Sequence, residues 1–232
     1  SNRFMDFWGM IYDLCIGFGV TLKLFALTLV FSIPLGFILA FMSMSKIKPI
    51  SLITKLFIWV IRGTPLLLQC LIVTFVPSML FGIPNKDFKE FLGLETMADL
   101  QFMFVLFAFV VNYACYFSVI IEGGIKNISV GQHEAGKVLG MTKWQIFRHV
   151  VLMQVVRKIT APMSNEIITL VKDTALARAL SVIEIIAVAF EKVNKYAVLS
   201  PLLYSCLFYL AFSGLLTLVF YYVEKKLSYY SV

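Results

Sequence analysis

The feature that most constrains this chain is a series of long apolar stretches separated by charged connections. Segments 16–42, 56–80, 102–121 and 202–223 each supply about 20 or more mostly apolar residues, the length that a helix needs to cross a hydrocarbon core of about 30 Å. Apolar residues make up 60% of the 232 residues, against roughly 45–50% in soluble domains. The stretches lack the alternation of apolar and polar residues that is typical of barrel strands. We therefore predict an all-α integral membrane protein with one domain over 1–232.

Lys and Arg are unevenly distributed among the connections. They are concentrated in segments 43–55 and 122–158 and after residue 223, whereas the 81–101 connection holds four acidic residues against two lysines. Because cytoplasmic connections carry the excess of Lys and Arg, we predict a multi-pass protein with its N-terminus outside and its C-terminus in the cytoplasm. Residues 1–13 lack the pattern of a signal peptide, so the first span is expected to direct insertion.

This orientation requires one more crossing, for which segment 159–171 is the candidate, and brings the prediction to about five transmembrane helices. The segment contains Asn165 and Glu166, so we expect it to face the protein interior or a water-filled path. Segment 182–190 is too short to cross and is predicted to be a partial re-entrant or interfacial helix. Pro34, Pro65 and Pro77 fall inside predicted spans, where proline removes a backbone donor and favours a kink.

The charge, histidine and cysteine content argue against other classes of protein. The net charge is +7, but the basic residues follow the membrane orientation and no nucleic-acid motif accompanies them, so no nucleic-acid partner is expected. Both histidines lie in segment 122–158, which does not favour a histidine metal site. The cysteines are isolated in apolar surroundings, so we expect small buried side chains rather than disulfides or metal ligands: Cys15, Cys70, Cys115 and Cys206.

The polar segment of about 122–158 contains Gly131-x4-Gly136-Lys137, which is similar to the start of a phosphate-binding loop. Val138 stands where that loop has the Ser or Thr that holds magnesium, and no predicted strand precedes it. We therefore do not expect this chain to hydrolyse a nucleotide. In a continuous helix, Gly136 and Gly140 would allow close approach of another backbone. An alternative for the segment is an amphipathic connector on the membrane surface.

The same segment reads Glu134-Ala135-Gly136, then Gly140, then Val150-x-Leu152-Met153. It resembles the cytoplasmic loop of ABC importer permease subunits, whose pattern is Glu-Ala-Ala, three residues, Gly, nine residues, Ile-x-Leu-Pro, and it keeps every spacing. Two further segments narrow the resemblance to the polar amino acid uptake subfamily: Arg-Gly-Thr-Pro-Leu-Leu-Leu-Gln at 62–69, and Asn165 followed by Leu-Val-Lys-Asp-Thr-Ala-Leu at 170–176.

Two departures from the family pattern accompany this resemblance. The family usually has a Glu and an Arg three residues apart before the loop, and the corresponding positions here are Val119 and Glu122, so that helical ion pair is missing. Met153 replaces the final Pro. Both departures are compatible with a heterodimer whose other permease carries the missing residues, or with an unusual substrate.

The resemblance implies the type I ABC importer permease fold, with about five transmembrane helices and a cytoplasmic coupling helix within about 122–158, which we call the coupling loop. It implies half of the translocation pathway of an ATP-driven amino acid importer in the cell membrane of a prokaryote. The implied partners are a second copy or a homologous permease, two ATPase subunits that hold ATP and Mg, and an external substrate-binding protein. The chain itself is expected to be no enzyme and to bind no cofactor or metal.

Two groups of candidate site residues follow. For the ATPase interface the resemblance implies small or polar residues of the coupling loop: Gln132, Glu134, Ala135, Gly136 and Gly140. For the translocation pathway we favour polar residues at bilayer depth, because such residues are costly there and mark a route or a buried pair: Arg62, Thr64, Gln69, Glu166, Lys172, Asp173 and Thr174.

Other interpretations remain open. Arg62 and Glu166, or Lys172 and Asp173, could pair as framework ions. The chain could be a membrane scaffold whose basic loop binds anionic lipid or a peripheral partner. It could also be a nucleotide-independent secondary transporter, although no internal inverted repeat is evident. We expect a substitution of Glu134 by arginine to break association with an ATPase subunit while leaving membrane insertion normal.

Overall fold

The computed structural model describes residues 7–228, which form ten α-helices and no strand within that range. A 3-10 helix, Thr174–Leu180, follows the eighth helix, and a π-helical turn, Phe147–Val151, precedes it. The helices are α1 (Phe7–Ser43), α2 (Lys48–Arg62), α3 (Leu66–Phe81), α4 (Asn85–Phe91), α5 (Met97–Lys126), α6 (Val130–Val138), α7 (Lys143–Ile146), α8 (Leu152–Asp173), α9 (Ile185–Tyr196) and α10 (Ser200–Leu227).

Helices α1 and α5 form the central pair of the fold. They come close at Gly36, where an added Cβ would lie 2.9 Å from the Cβ of Phe117. At the end of α1, the Ser43 hydroxyl donates a hydrogen bond to Glu122 of α5. Glu122 also forms an ion pair with Lys126 one turn later in α5, so it has partners within this chain even though the family's usual ion pair is missing. The apolar core between these helices is joined by α8.

The predicted spans over 16–42, 102–121 and 202–223 correspond to α1, α5 and α10. Within the described residues, these are the three helices long and apolar enough to cross a membrane unaided. At a rise of about 1.5 Å per residue, the 37-residue α1 is about 56 Å long, which exceeds a hydrocarbon core of about 30 Å. The remaining predicted crossings are built differently.

The predicted span over 56–80, with its expected kink at Pro65, is formed by two helices rather than one. α2 ends at Arg62, α3 begins at Leu66, and the two helices are bent by 105° at this break. Pro65 is the N-cap residue of α3 with extended backbone, because a proline has no N–H to continue a helix ladder and disfavours helical geometry in the residue before it. Together the two helices can count as one broken span. Pro34 and Pro77 do lie inside α1 and α3.

The predicted crossing over 159–171 lies inside α8, which has 22 residues and is therefore about 33 Å long. α8 is too polar to pass as an apolar span, as expected of a helix whose polar residues avoid lipid. Its exposed residues include Lys158, Asn165 and Lys172, spaced seven apart, which places them on one helical face. This polar face needs water or another protein surface beside it.

Segment 182–190 leads into α9, a helix of 12 residues. Glu184 is fully buried and caps α9, accepting hydrogen bonds from the amides of Ile186 and Ala187, both at 2.8 Å. α9 is tied to α1 by an ion pair between Lys192 and Asp13. The hydrogen bond to Asp13 raises the pKa of Lys192, because it stabilises the ammonium form.

The four cysteines are free thiols. Cys70 and Cys115 are buried as predicted, whereas Cys15 and Cys206 are exposed on α1 and α10. The prediction was wrong for these two because apolar neighbours in sequence do not distinguish a core-facing from an outward-facing position of a membrane helix.

Candidate translocation cavity and coupling loop

The break between α2 and α3 is held by the buried side chain of Gln69. Its amide nitrogen donates hydrogen bonds to the Ile61 carbonyl at 2.7 Å, the Thr64 hydroxyl at 2.9 Å and the Thr64 carbonyl at 3.1 Å. Its carbonyl oxygen accepts a hydrogen bond at 3.0 Å from the amide of Asn112 in α5. Gln69 thus satisfies backbone groups that the break leaves outside the helix ladders and fixes the break against α5.

A cavity of about 460 Å³ opens beside this break, between α5 and α8. Its size falls within the roughly 300–1,000 Å³ of typical ligand pockets. We call it the acidic cavity, because its lining contains two carboxylates and no Lys or Arg: Thr64, Pro65, Leu66, Asn112, Tyr113, Tyr116, Glu166, Thr169, Asp173 and Leu176.

The two carboxylates lie on one face of α8, since they are seven residues apart. Asp173 accepts a hydrogen bond from the Tyr113 hydroxyl at 2.6 Å. Neither carboxylate forms an ion pair in the part of the chain that the structure describes. Neither of the alternative framework pairs, Arg62 with Glu166 or Lys172 with Asp173, is in direct ionic contact within the described residues, although each cation exerts an electrostatic attraction on its carboxylate.

Of the seven predicted pathway residues, the structure brings Thr64, Glu166 and Asp173 together in the acidic cavity. Arg62 ends α2 and is exposed, with its guanidinium 5.1 Å from the centre of the Tyr116 ring. This position places its charge at the rim of the cavity.

The other three predicted pathway residues lie outside the lining. Gln69 is buried within the break. Lys172 is exposed on α8. Thr174 is buried, and its hydroxyl donates to the Val171 carbonyl at 2.6 Å, so it supports the start of the 3-10 helix.

Four polar lining residues were not predicted from the sequence: Asn112, Tyr113, Tyr116 and Thr169. Tyr116 also donates a hydrogen bond to the Arg62 carbonyl at 3.5 Å, which links α5 to the end of α2. Asn112 and Tyr116 are four residues apart in an apolar helix, and this spacing marks one face. This spacing is the sequence feature that could have predicted Asn112 and Tyr116.

The coupling loop folds as α6 and α7 over a small apolar cluster beneath α5 and α8. The cluster contains Ile128, Ile146, Val151 and Val155. α7 begins with a capping box in which Thr142 and Gln145 satisfy each other's backbone amides. Gln132 accepts a hydrogen bond from Gln154 at 3.2 Å, and Lys158 donates one to the carbonyl of Asn127. These contacts join the loop to the two helices that line the acidic cavity.

The predicted interface residues differ in their exposure. Glu134 and Ala135 are exposed on α6, and Gln132 is half-buried. Gly131-x4-Gly136-Lys137 lies entirely within α6, Val130–Val138, rather than in a loop between a strand and a helix.

Gly136 and Gly140 do not form the helical strip that their spacing predicted. α6 ends at Val138, and Gly140 follows it with a φ of +71°, a conformation that glycine adopts without strain. Gly136 is buried, and an added Cβ would lie 2.6 Å from Cγ1 of Ile146. The two glycines therefore serve the fold of the coupling loop: one allows a turn, and the other makes room for Ile146.

The family of binding-protein-dependent transport system inner membrane components matches residues 32–229. The arginine transport system permease protein ArtQ of Bacillus subtilis (strain 168) is 31% identical over 212 residues, covering 91% of this chain and 90% of that protein. The L-cystine transport system permease protein TcyB of the same organism is 31% identical over 227 residues, covering 97% and 89%.

Two solved structures share the fold. The crystal structure of an amino acid ABC transporter with histidines aligns with a TM-score of 0.76 and 28% identity, over 96% of this chain and 99% of that one. An inward-facing structure of the MetNI methionine ABC transporter aligns with a TM-score of 0.64 and 14% identity, over 95% and 96%. At 14% identity, the second likeness concerns the fold alone.

Proposed function

Because this chain belongs to the family of binding-protein-dependent transport system inner membrane components, we propose that it forms half of the translocation pathway of an ATP-driven amino acid importer. Relatives named for arginine and L-cystine transport cover nearly all of the chain, and a structural relative is an amino acid ABC transporter. The observation that carries the proposal is the acidic cavity, because it offers two carboxylates, without a direct ion pair among the described residues, between α5, a predicted span, and α8.

The acidic cavity suits a substrate with positively charged groups. Glu166 and Asp173 can accept hydrogen bonds from ammonium or guanidinium groups, and bonds between charged partners are about twice as strong as neutral ones. Every α-amino acid has one ammonium group, so two carboxylates favour a substrate with a second cationic group. Arg62 at the rim is placed to bind the α-carboxylate. Arginine and L-cystine each carry two cationic groups, which makes them suitable first test substrates.

In this proposal the coupling loop docks on an ATPase subunit at the cytoplasmic side. Glu134 and Ala135 are exposed there, and the loop is packed against the ends of α5 and α8. A short helix gripped by an ATPase would move with it and tilt the attached helices, which gives alternating access to the acidic cavity. ATP and Mg belong to the partner subunits.

The proposed assembly has two permease chains, two ATPase subunits and an external substrate-binding protein, in the cell membrane of a prokaryote. The N-terminus lies outside and the C-terminus in the cytoplasm, as the distribution of Lys and Arg favours. The exposed polar face of α8 would then meet the second permease or the water-filled path between them, since lipid does not suit Lys158, Asn165 and Lys172.

Uptake by the complex reconstituted in liposomes tests the role of the cavity. Replacing Asp173 by asparagine removes one charge-assisted hydrogen bond worth about 1.5–3 kcal/mol, which corresponds to about 10–100-fold weaker uptake of arginine at low concentration. Glu224→Gln is the matched control, because Glu224 is exposed on α10 and outside the cavity. Equal uptake by the two variants would refute the role of the cavity.

Co-purification tests the coupling loop. Glu134→Arg reverses an exposed charge on α6 and is expected to release the ATPase subunits while membrane insertion stays normal. Glu95→Arg makes the same change in the connection before α5 and should leave the complex intact. Unchanged association of the Glu134→Arg variant would refute docking at this position.

A further inference from the structure

A second cavity lies next to the acidic cavity, toward the ends of α5 and α8 that meet the coupling loop. Its volume is about 490 Å³, and we call it the loop-side cavity. The residues that line it are Val119, Ile120, Gly123, Gly124, Asn127, Lys158 and Pro162. None of them was among the predicted pathway residues.

The two cavities occupy one groove between the same two helices. On α5, Asn112 and Tyr116 line the acidic cavity, and Ile120 and Gly123 continue the same face into the loop-side cavity at helical spacings of three and four. On α8, Glu166 and Pro162 are the neighbouring residues of the two linings. They are separated by four residues, or about 6 Å along the helix, so the two cavities are neighbours along α8.

The charges of the two cavities are opposite. The acidic cavity offers Glu166 and Asp173, whereas the loop-side cavity offers Lys158. Lys158 donates a hydrogen bond across the groove to the carbonyl of Asn127, which positions its ammonium group at the cavity wall. An ammonium group has three donors, so two remain for a ligand.

We propose that the loop-side cavity is a release site, in which Lys158 binds the α-carboxylate of an amino acid that has left the acidic cavity. The inference rests on the proposed function, because it takes the ligand to be an amino acid and the coupling loop to be cytoplasmic. An amino acid carries both charges, so its ammonium end suits the first cavity and its carboxylate end suits the second.

Gly123 and Gly124 both line the loop-side cavity, but they differ in how closely α8 packs against them. An added Cβ at Gly124 would lie 2.2 Å from Cγ2 of Ile159, so this glycine is needed for contact between α5 and α8. An added Cβ at Gly123 would meet nothing within 4 Å. The space beside Gly123 is therefore part of the cavity, and a side chain there would fill it without displacing neighbours.

The first arm of the test is Gly123→Leu, with Gly214→Leu in α10 as its matched control. An added Cβ at Gly214 also meets nothing within 4 Å, and both changes replace a helical glycine by leucine. In the assembled complex in liposomes, Gly123→Leu should abolish ATP-driven arginine uptake and keep ATP hydrolysis, whereas Gly214→Leu should transport like the parent protein. Equal uptake by the two variants, or loss of the assembled complex with Gly123→Leu alone, would overturn the release site.

The second arm compares Lys158→Gln with Lys158→Arg. Loss of a hydrogen bond to a charged group should lower the maximal uptake rate of the glutamine variant about tenfold, while the substrate concentration at half-maximal uptake stays unchanged. The Lys158→Arg variant should transport at the rate of the parent protein. The same comparison is made in liposomes with and without anionic lipid. A rate loss that occurs only with anionic lipid would assign Lys158 to a lipid phosphate and overturn the proposal.

Uptake by the parent protein distinguishes failure of the release site from failure of the proposed importer function. If it transports arginine and both loop-side variants do so equally well, the release site is refuted and the importer function stands. If the parent protein transports no amino acid with ATP and its partners present, the proposed function itself fails.

Discussion

Replacing Gln69 by leucine tests whether one buried amide holds the break between α2 and α3. Leucine has a similar size but removes the donor that reaches three oxygens at 2.7–3.1 Å and the acceptor that Asn112 uses. The change therefore removes the tie between the break and α5 without opening a large cavity.

The expected loss of stability depends on which groups lose their hydrogen-bond partner. The Ile61 carbonyl keeps a hydrogen bond from the Thr64 hydroxyl at 3.2 Å. The Thr64 carbonyl and the Asn112 amide lose Gln69, and each buried group left unsatisfied costs about 1–3 kcal/mol. Hydrogen bonds between membrane helices average about 0.6 kcal/mol, with a maximum of about 1.7. We therefore expect the free energy of unfolding to fall by about 2 kcal/mol.

The assay is reversible unfolding of the purified chain in mixed detergent and SDS micelles. Ser205→Ala is the control, because this buried hydroxyl donates only to the Pro201 carbonyl of its own helix at 2.9 Å, and its loss should cost less than about 1 kcal/mol. Adding Asn112→Leu to Gln69→Leu should recover part of the loss, since replacing both partners by apolar groups can be nearly neutral.

A distance measurement completes the test. Spin labels at the exposed positions Leu52 in α2 and Met79 in α3 should show a narrow distance distribution in the parent protein and a broader one in Gln69→Leu. Ordinary surface changes alter the free energy of unfolding by about 0.5 kcal/mol or less. If the free energy of unfolding of the variant lies within that range of the parent protein's, and its distance distribution is unchanged, Gln69 does not hold the break.

Three further predictions concern the coupling loop and α9. Gly136→Val places side-chain atoms against Ile146 and should destabilise the loop by about 1–3 kcal/mol, seen as faster amide exchange in α6; unchanged exchange would refute the contact. Glu184→Ala removes the cap of α9 and should cost about 1–2 kcal/mol, measured by exchange of its first amides, which would stay protected if another group caps them. Lys192→Gln breaks the ion pair with Asp13 and should cost at most about 1 kcal/mol in the SDS titration; a loss above about 2 kcal/mol would refute this estimate.

Much of the fold was predictable because continuous apolar sequence is a direct consequence of spanning a membrane. α1, α5 and α10 coincide with three predicted spans, and the permease family and fold predicted from three motifs are confirmed by the family match and the solved relatives. Pro65 predicts a kink between α2 and α3, but an apolar run does not reveal that the chain turns there by 105°.

The candidate site was only partly predictable, for a related reason. Glu166 and Asp173 stand out because charges inside a membrane protein are costly. Asn112 and Tyr116 are marked only by their spacing of four residues, and Tyr113 is not marked at all, because uncharged polar and aromatic residues are tolerated in a buried apolar helix. In the coupling loop, the spacing of Gly136 and Gly140 was informative only if α6 continued, and it ends before Gly140.

The central claim is that a separate ATPase drives an amino acid through this chain, and uptake of labelled arginine into liposomes containing the assembled complex tests it most directly. With the binding protein outside and ATP supplied to the ATPase subunits, we predict accumulation of arginine against its gradient, and none with a non-hydrolysable ATP analogue. Accumulation without nucleotide, driven by an ion gradient alone, would contradict the account.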